Sequence, residues 1–423
     1  MRKGAEVIYA RKSTTLILII LLPFGIGYYI SYLFRTVNAI ISPQLVSDIG
    51  LSPSTLGLMT AAYFITFAAV QLPLGIVLDR FGPRKVQAGL LMVAALGAAL
   101  FAFGEEAITL IIGRGLVGIG VSACLMAALK ANVLWFPRAK IPLVNGVIFA
   151  FGTAGALSTT VPLEILIQTI EWRTVFWWLV VITVFSGILI YLIVPEHSGG
   201  DNGKKPERVN FSDQVADLKQ VYGSTYFWKL SVMVFLHNGV FLSYQALWAA
   251  PWLRDVAGLD SRGVADAMLM FNIGMLAGVL SVGLIAERLQ KIGVPTIVPA
   301  TAGIMISILV QALFASEWVA EPRLLCLAFG YFGSSSTLAY AVLNQKFPQK
   351  LTGRVNTAQN MLTFIAAFST QWLVGVIIGL YPSPSQGLYS AEGHQVALII
   401  FLLIQCAGVI FFLWPSSARH KQT

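Results

Sequence analysis

The chain has 423 residues, 57% of them hydrophobic and 11% charged, with a mean hydropathy of +0.77. A soluble domain carries about 25% charged residues, so an ordinary soluble fold is excluded and a protein embedded in a lipid bilayer is expected. The +9 net charge does not point to a nucleic-acid partner, because no basic, aromatic-interleaved polar face exists to hold one. Cys124, Cys326 and Cys406 lie far apart inside apolar runs and read as packing residues, with no disulfide, metal site or other cofactor implied.

The N-terminus, MRKGAEVIYARKSTT, resembles the basic start of a signal peptide. The apolar run behind it is too long, however, and no small-residue cleavage site follows, so it reads as a first helix. Apolar runs of about 20 residues, each able to cross ~30 Å of hydrocarbon, fall near 16–43, 54–78, 84–103, 107–135, 141–165, 173–194, 227–253, 263–287, 293–315, 321–345, 354–380 and 393–414. The expected fold is therefore an all-α integral membrane protein of twelve helices. The one sizeable polar stretch, 195–226, reads as a cytoplasmic linker with a short amphipathic helix at 210–221. It divides the chain into six-helix halves, 1–194 and 227–423. Of the 28 Lys and Arg residues, four (Arg173, Arg254, Arg262, Arg323) fall on one set of loops. Three (Arg35, Arg114, Lys130) fall inside runs, and the other 21 lie on the segments sharing a side with the termini. This asymmetry predicts cytoplasmic N- and C-termini, with a bacterial-type inner membrane as the location.

The halves repeat one another. FPRAKIPLVNG (136–146) matches FPQKLTGRVNT (347–357), with the same spacing from Phe-Pro to Asn145 and Asn356. Gly75, Asp79 and Arg80 recur 208 residues later as Gly283, Glu287 and Arg288; Pro43 recurs as Pro251 and Gly50-Leu51 as Gly258-Leu259. Parallel repeats meeting around a midplane cavity suit a rocking transporter.

The stretch GIVLDRFGPRKV (75–86) joins the second and third runs. Gly75 permits close helix approach, Asp79 needs donors or cations, and Gly82-Pro83 turns the chain. Arg80, Arg84 and Lys85 complete a pattern, G-x-x-x-D-R-[FY]-G-x-[RK]-[RK], that resembles the helix 2–3 signature of the major facilitator superfamily. That resemblance covers nearly the whole chain. It implies alternating access about a site between helices 1, 4, 7 and 10, with the hairpin as a cytoplasmic latch. Arg114 and Gly118 in RGLVGIG resemble the family's helix 4 motif, for which a structural hydrogen-bonding role is expected.

Arg35, within YYISYLFRTVNAIISP (28–43), is the most informative residue. An arginine inside an apolar run normally faces a partner or a wet cavity. Tyr28, Ser31 and Asn38 share its helical face. It reads as a fixed cation for an anionic group, the alternative being a side chain that snorkels to the interface. Helix 1 resembles that of the organophosphate:phosphate branch of the family, in which the matching arginine binds phosphate. That branch's second arginine is replaced by Ser243 in LSYQALWAAP. The anion:cation symporter branch carries an aspartate where Phe34 stands, so neither substrate class transfers cleanly. Lys130 in helix 4 is a candidate second cation or an interfacial lysine. His237, Tyr244 and Trp248 in helix 7, beside Asn238 and Gln245, and Tyr331 and Ser335 in helix 10 complete the expected substrate-binding set.

Acids inside the runs are scarce. Glu164 is the clearest, so exchange or facilitated transport gains ground over proton symport, which His237 and Glu164 keep open. The helix 5 motif of drug antiporters is absent from FGTAGALSTTVP (151–162). No Ser/His/Asp set, metal cluster or phosphate-cradling loop supports an enzyme. The expected function is a secondary active or facilitative carrier of a small organic or phosphorylated anion. Its partners would be the lipid bilayer and that substrate, with a proton or counter-anion as co-substrate, and the chain would act as a monomer. The alternatives are a transporter-like ligand sensor, or a carrier of a metal complex or other non-anionic solute.

Overall fold

A computed structural model describes residues 17–137, 141–196, 219–348, 351–383 and 388–414, with positions 72, 76, 79, 142 and 352 described by backbone alone. Twelve membrane-length helices follow one another: α1 (Ile17–Ile49), α2 (Pro53–Gln71), α3 (Arg80–Phe103), α4 (Ala107–Trp135), α5 (Leu143–Ile167), α6 (Trp172–Ile193), α7 (Thr225–Asp255), α8 (Ser261–Lys291), α9 (Ile297–Ala315), α10 (Pro322–Lys346), α11 (Gly353–Gly379) and α12 (Ala391–Leu413). They form two six-helix bundles, and no strand occurs among the described residues. Most of the 195–226 segment, including most of the expected surface helix, lies outside those residues. Leu96, Val181, Leu192, Leu309 and Leu403 are exposed on the outer faces of the bundles, as the bilayer requires of a protein whose solvent is hydrocarbon.

The repeat seen in sequence is a repeat in backbone. Gly50 (φ 70°) ends α1 and Gly258 (φ 67°) follows α7, both in the left-handed region that glycine enters without penalty. The next helix then starts on a capping side chain: Ser52 Oγ accepts from Thr55 N at 3.2 Å, and Asp260 Oδ1 accepts from Gly263 N at 2.8 Å. α1 runs past Pro43 to Ile49, further than the expected end at residue 43. Pro43 leaves the Ala39 carbonyl without its helical donor, and Ser42 Oγ supplies one at 3.2 Å.

Among the described residues, five helices depart from α geometry within their spans: α1 opens as a π-helix over Ile17–Leu21, and four more break or rewind further in. α4 breaks at Ser122–Ala123, α5 at Thr159–Thr160, α7 winds as a π-helix over Tyr244–Trp248, and α10 tightens to a 3₁₀ turn over Ser334–Thr337. Within hydrocarbon such breaks survive only where side chains re-satisfy the backbone. Ser122 Oγ donates to Ile119 O (2.7 Å), Thr159 Oγ1 to Ala156 O (2.8 Å), Thr160 Oγ1 to Leu157 O (2.6 Å) and Ser334 Oγ to Tyr331 O (2.7 Å).

α2 and α3 form one helical stretch, Pro53–Phe103, bent where Gly82 adopts φ 78°, ψ 159°. We call this the hairpin end of the molecule, and the end where α1 meets α2 and α7 meets α8 the far end. At the far end the bundles touch closely. A Cβ on Gly57 of α2 would lie 2.8 Å from Gln371 O of α11, and one on Gly375 would overlap Pro53 O and meet Trp248 at 3.0 Å. Nearer the middle, Phe364 of α11 lies across Phe64 and Phe67 of α2, with ring centroids 5.9 and 4.3 Å apart.

Candidate substrate site

Arg35 stands near the middle of α1, and its side chain is held within the protein: only 7% of the residue is exposed. Its guanidinium carbon lies 4.6 Å from the centroid of Tyr32, 5.5 Å from that of Phe364 and 5.9 Å from that of Phe67. Tyr28 and Tyr63 stand within electrostatic reach. Rings so placed attract the cation through their quadrupoles, but they supply no counter-charge. Among the described residues no carboxylate pairs with Arg35, and its Nε has no hydrogen-bond partner. A guanidinium edge matches a planar oxyanion in geometry and charge.

Further aromatic and polar side chains surround it. Tyr28 packs edge-on to Tyr32, centroids 5.2 Å apart. Tyr63 stacks on Phe67 (5.9 Å) one turn along α2, and its hydroxyl is buried beside Arg35. Asn38, one turn from Arg35, reaches Thr60 Oγ1 only at 3.5 Å and leaves its own Oδ1 unpaired. Ser31 is buried on the same helix.

A second buried guanidinium braces this one. Arg114 of α4 is 1% exposed, donates from Nη1 to Phe34 O at 2.7 Å, and lies 5.2 Å over the Tyr63 ring. It thereby ties α4 to the residue preceding Arg35 and fixes the height at which Arg35 projects. Gly118, one turn on, lets α4 press against the Tyr63 carbonyl, where any Cβ would overlap.

The other expected site residues point elsewhere. Lys130 Nζ donates to Leu78 O at 2.8 Å, at the hairpin end of the helix begun by α2, where a cation suits the terminal carbonyls. His237 lies between bundle helices, with Nδ1 3.2 Å from Gln405 Oε1 and Nε2 3.2 Å from Gly333 O. Tyr244 packs among Phe314 and Phe329. Trp248 donates to Gln371 O at 2.8 Å in the far-end seal. Tyr331 accepts from Ser281 Oγ at 2.9 Å, and Ser335 fills the space beside Gly303 of α9. Ser243 is buried and spends its hydroxyl on Gly239 O (2.7 Å) and Ala367 O (3.2 Å).

Tyr32, Tyr63, Phe67 and Phe364 surround Arg35 but were not among the expected residues. Tyr63 and Phe67, four apart on one helix, carried a sequence signal; Phe364 carried none, since only the meeting of the two bundles brings it there.

At the hairpin, Arg84 Nε donates to Tyr191 O (2.9 Å) and its guanidinium lies 4.9 Å over the Tyr191 ring. Lys85 pairs with Glu196, and with Arg84 holds that carboxyl below the usual carboxylate range. Arg80 lies over Phe81 at 5.2 Å. Gly75 is exposed, and the side chain of Asp79 lies outside the described residues. Arg84 and Lys85 thus bind the end of α6 and the residues just beyond it.

Residues 24–371 match the family model described as Major Facilitator Superfamily. The chain belongs to the major facilitator superfamily. Relatives within this superfamily include the Probable sulfoacetate transporter SauU of Cupriavidus necator, 24% identical over 62% of this chain and 63% of that protein, so the chain spans less than two thirds of that relative. The Hexuronate transporter of Escherichia coli K12 is 23% identical over 90% of this chain and 92% of its own length. Among solved structures, a bacterial homologue of the human lysosomal transporter Spinster, inward-facing and unoccupied, superimposes with a TM-score of 0.71. It is 16% identical over 95% of this chain and 96% of its own. The D-xylose-proton symporter matches with the same TM-score and identity over 94% and 97%. As a member of this superfamily the chain is a multi-pass membrane transporter and not an enzyme.

Proposed function

We propose that this transporter carries a small organic anion, a carboxylate or sulfonate, across a bacterial inner membrane by alternating access between its two bundles. The observation that carries this reading is the buried Arg35 guanidinium, which has aromatic walls and no carboxylate partner among the described residues. Leaving such a charge unpaired in a low-dielectric interior costs several kcal/mol, and a bound anion removes that cost. The names of relatives agree: they include transporters of sulfoacetate and hexuronate. The 21 Lys and Arg residues on one side support a cytoplasmic hairpin end and cytoplasmic termini. On that reading the closed far end faces outward. Lys130 serves the hairpin end, so Arg35 is the single cationic anchor.

Counterflow in proteoliposomes tests this. Vesicles loaded with unlabelled glucuronate or sulfoacetate should accumulate the labelled anion from outside, and Arg35→Ala should abolish that uptake. Equal uptake by wild type and Arg35→Ala, or none of either anion by wild type, would refute the reading.

A further inference from the structure

At the far end a cavity of about 420 Å³ lies between the bundles, lined by α1, α5, α7 and α8. Pro43 and its repeat partner Pro251 both face it. Glu164 lines it and is 2% exposed. Its Oε1 accepts from Gln168 Nε2 at 2.5 Å, but its Oε2 has no hydrogen-bond partner. Gln44 lines the same cavity. Its amide is oriented by Nε2 donating to Ile167 O at 3.2 Å, which leaves a buried Oε1 that also accepts nothing. Two buried acceptor oxygens without hydrogen-bond donors, one of them a carboxylate, share one cavity.

The charge balance points the same way. Arg254 is spent on Asp255, in a bidentate contact of 2.6 and 3.0 Å, and Asp255 also faces His394 Nε2 at 3.3 Å. Arg323 holds Asp266 at 3.0 Å. Arg262 of α8 divides itself between Asp266 (3.6 Å) and Glu164 (3.8 Å), beyond hydrogen-bond reach of either, and is half exposed. Asp260 caps α8, and Asp48 of α1 is held by Trp172 Nε1 at 2.8 Å and Arg173 at 3.5 Å. Of the charged residues lining the cavity, Glu164 and Asp260 are acidic and Arg254 alone is basic, and Arg254 is engaged by Asp255.

We infer that Glu164 Oε2 and Gln44 Oε1 form a binding site for one monovalent cation, sodium or a proton. Both oxygens belong to the N-terminal bundle, so the site persists when the bundles part. Arg262 comes from the C-terminal bundle and competes for the same carboxylate. Cation binding and the Glu164–Arg262 cross-bundle pair exclude one another, so the cation shifts the equilibrium toward an open far end. Its role in coupling rests on the carrier reading; its binding does not.

The test uses the full chain in nanodiscs, with Cys406→Ser to remove the exposed native thiol and no organic anion present. A cysteine placed on the cavity wall (Ala250→Cys) is labelled with a membrane-impermeant thiol reagent. Its rate is normalised to a cysteine at the exposed end of α1 (Ser47→Cys). In choline chloride at alkaline pH labelling should be slow. Replacing choline by sodium at constant pH should speed it several-fold if sodium is the ligand; acidifying in choline should do so if the proton is. Glu164→Gln should label rapidly and respond to neither. Arg262→Gln should lower the cation concentration needed for half-effect, because the competitor is gone. Gln44→Leu should raise it for sodium, a readout that remains if Glu164→Gln does not fold. Labelling in wild type that ignores both sodium and pH would overturn the site, as would a wild-type response retained in Glu164→Gln. Either result would leave the Arg35 reading standing.

Discussion

Arg35 and Tyr63 are the residues at which the proposed anion site is tested, each by its own variant. Arg35→Ala removes a charge-assisted contact worth roughly 1.5–3 kcal/mol, so the dissociation constant for an organic anion should rise about ten- to a hundred-fold. Arg35→Lys should recover only part, because an ammonium lacks the bidentate fork. The Tyr63 hydroxyl is buried beside the Arg35 guanidinium, so Tyr63→Phe removes a polar group next to the same cation. Tyr63→Phe should weaken anion binding several-fold while the transporter still folds, and a binding isotherm beside a calorimetric melt checks both. Unchanged affinity would take Tyr63 out of the site.

The hairpin shows how a sequence motif becomes an element and where its reading stops. Gly82 sits at φ 78°, ψ 159°, a region essentially reserved for glycine, where a side chain costs of order 1–3 kcal/mol. Gly82→Ala should lower stability by about that much, and a denaturation midpoint measures it. The Lys85–Glu196 pair adds a pH signature. Glu196 has its carboxyl lowered by Lys85 and Arg84, so the contact with α6 is present above the ordinary carboxylate value. It is lost as pH falls through the lowered one. Protection factors of the hairpin amides, which correct for the intrinsic pH dependence of exchange, should fall on acidification, and Glu196→Gln should remove that fall. The turn glycines, the twelve helices and the repeat were all legible, because local backbone needs and hydrophobic run lengths are written in adjacent residues. The assembly of the site was legible only in part. Arg35, Tyr28 and Asn38 share one helix face and are readable by periodicity. Phe364 and the engagement of Lys130 with Leu78 O depend on which helices meet, and no spacing within one helix reports that. His237 looked like a cavity residue because its helix lines the interface, yet its ring faces Gln405 and the Gly333 carbonyl. Periodicity gives a face, and only packing says what that face meets.

Across the whole molecule, the two bundles close against each other at the far end through Gly57, Gly375 and Trp248. A side chain there should prevent closure. Gly375→Val should increase far-end thiol accessibility and slow counterflow while leaving expression intact. Fast counterflow with an unchanged labelling rate would show that the contact does not limit transport. The central claim is that an anion's charge is read by one buried guanidinium. Its most direct test is equilibrium binding of glucuronate and of uncharged glucose to wild type and Arg35→Ala in nanodiscs. Wild type should bind glucuronate and discriminate strongly against glucose, and Arg35→Ala should lose that discrimination. Unchanged glucuronate affinity in Arg35→Ala, or equal binding of the two sugars by wild type, would contradict the account.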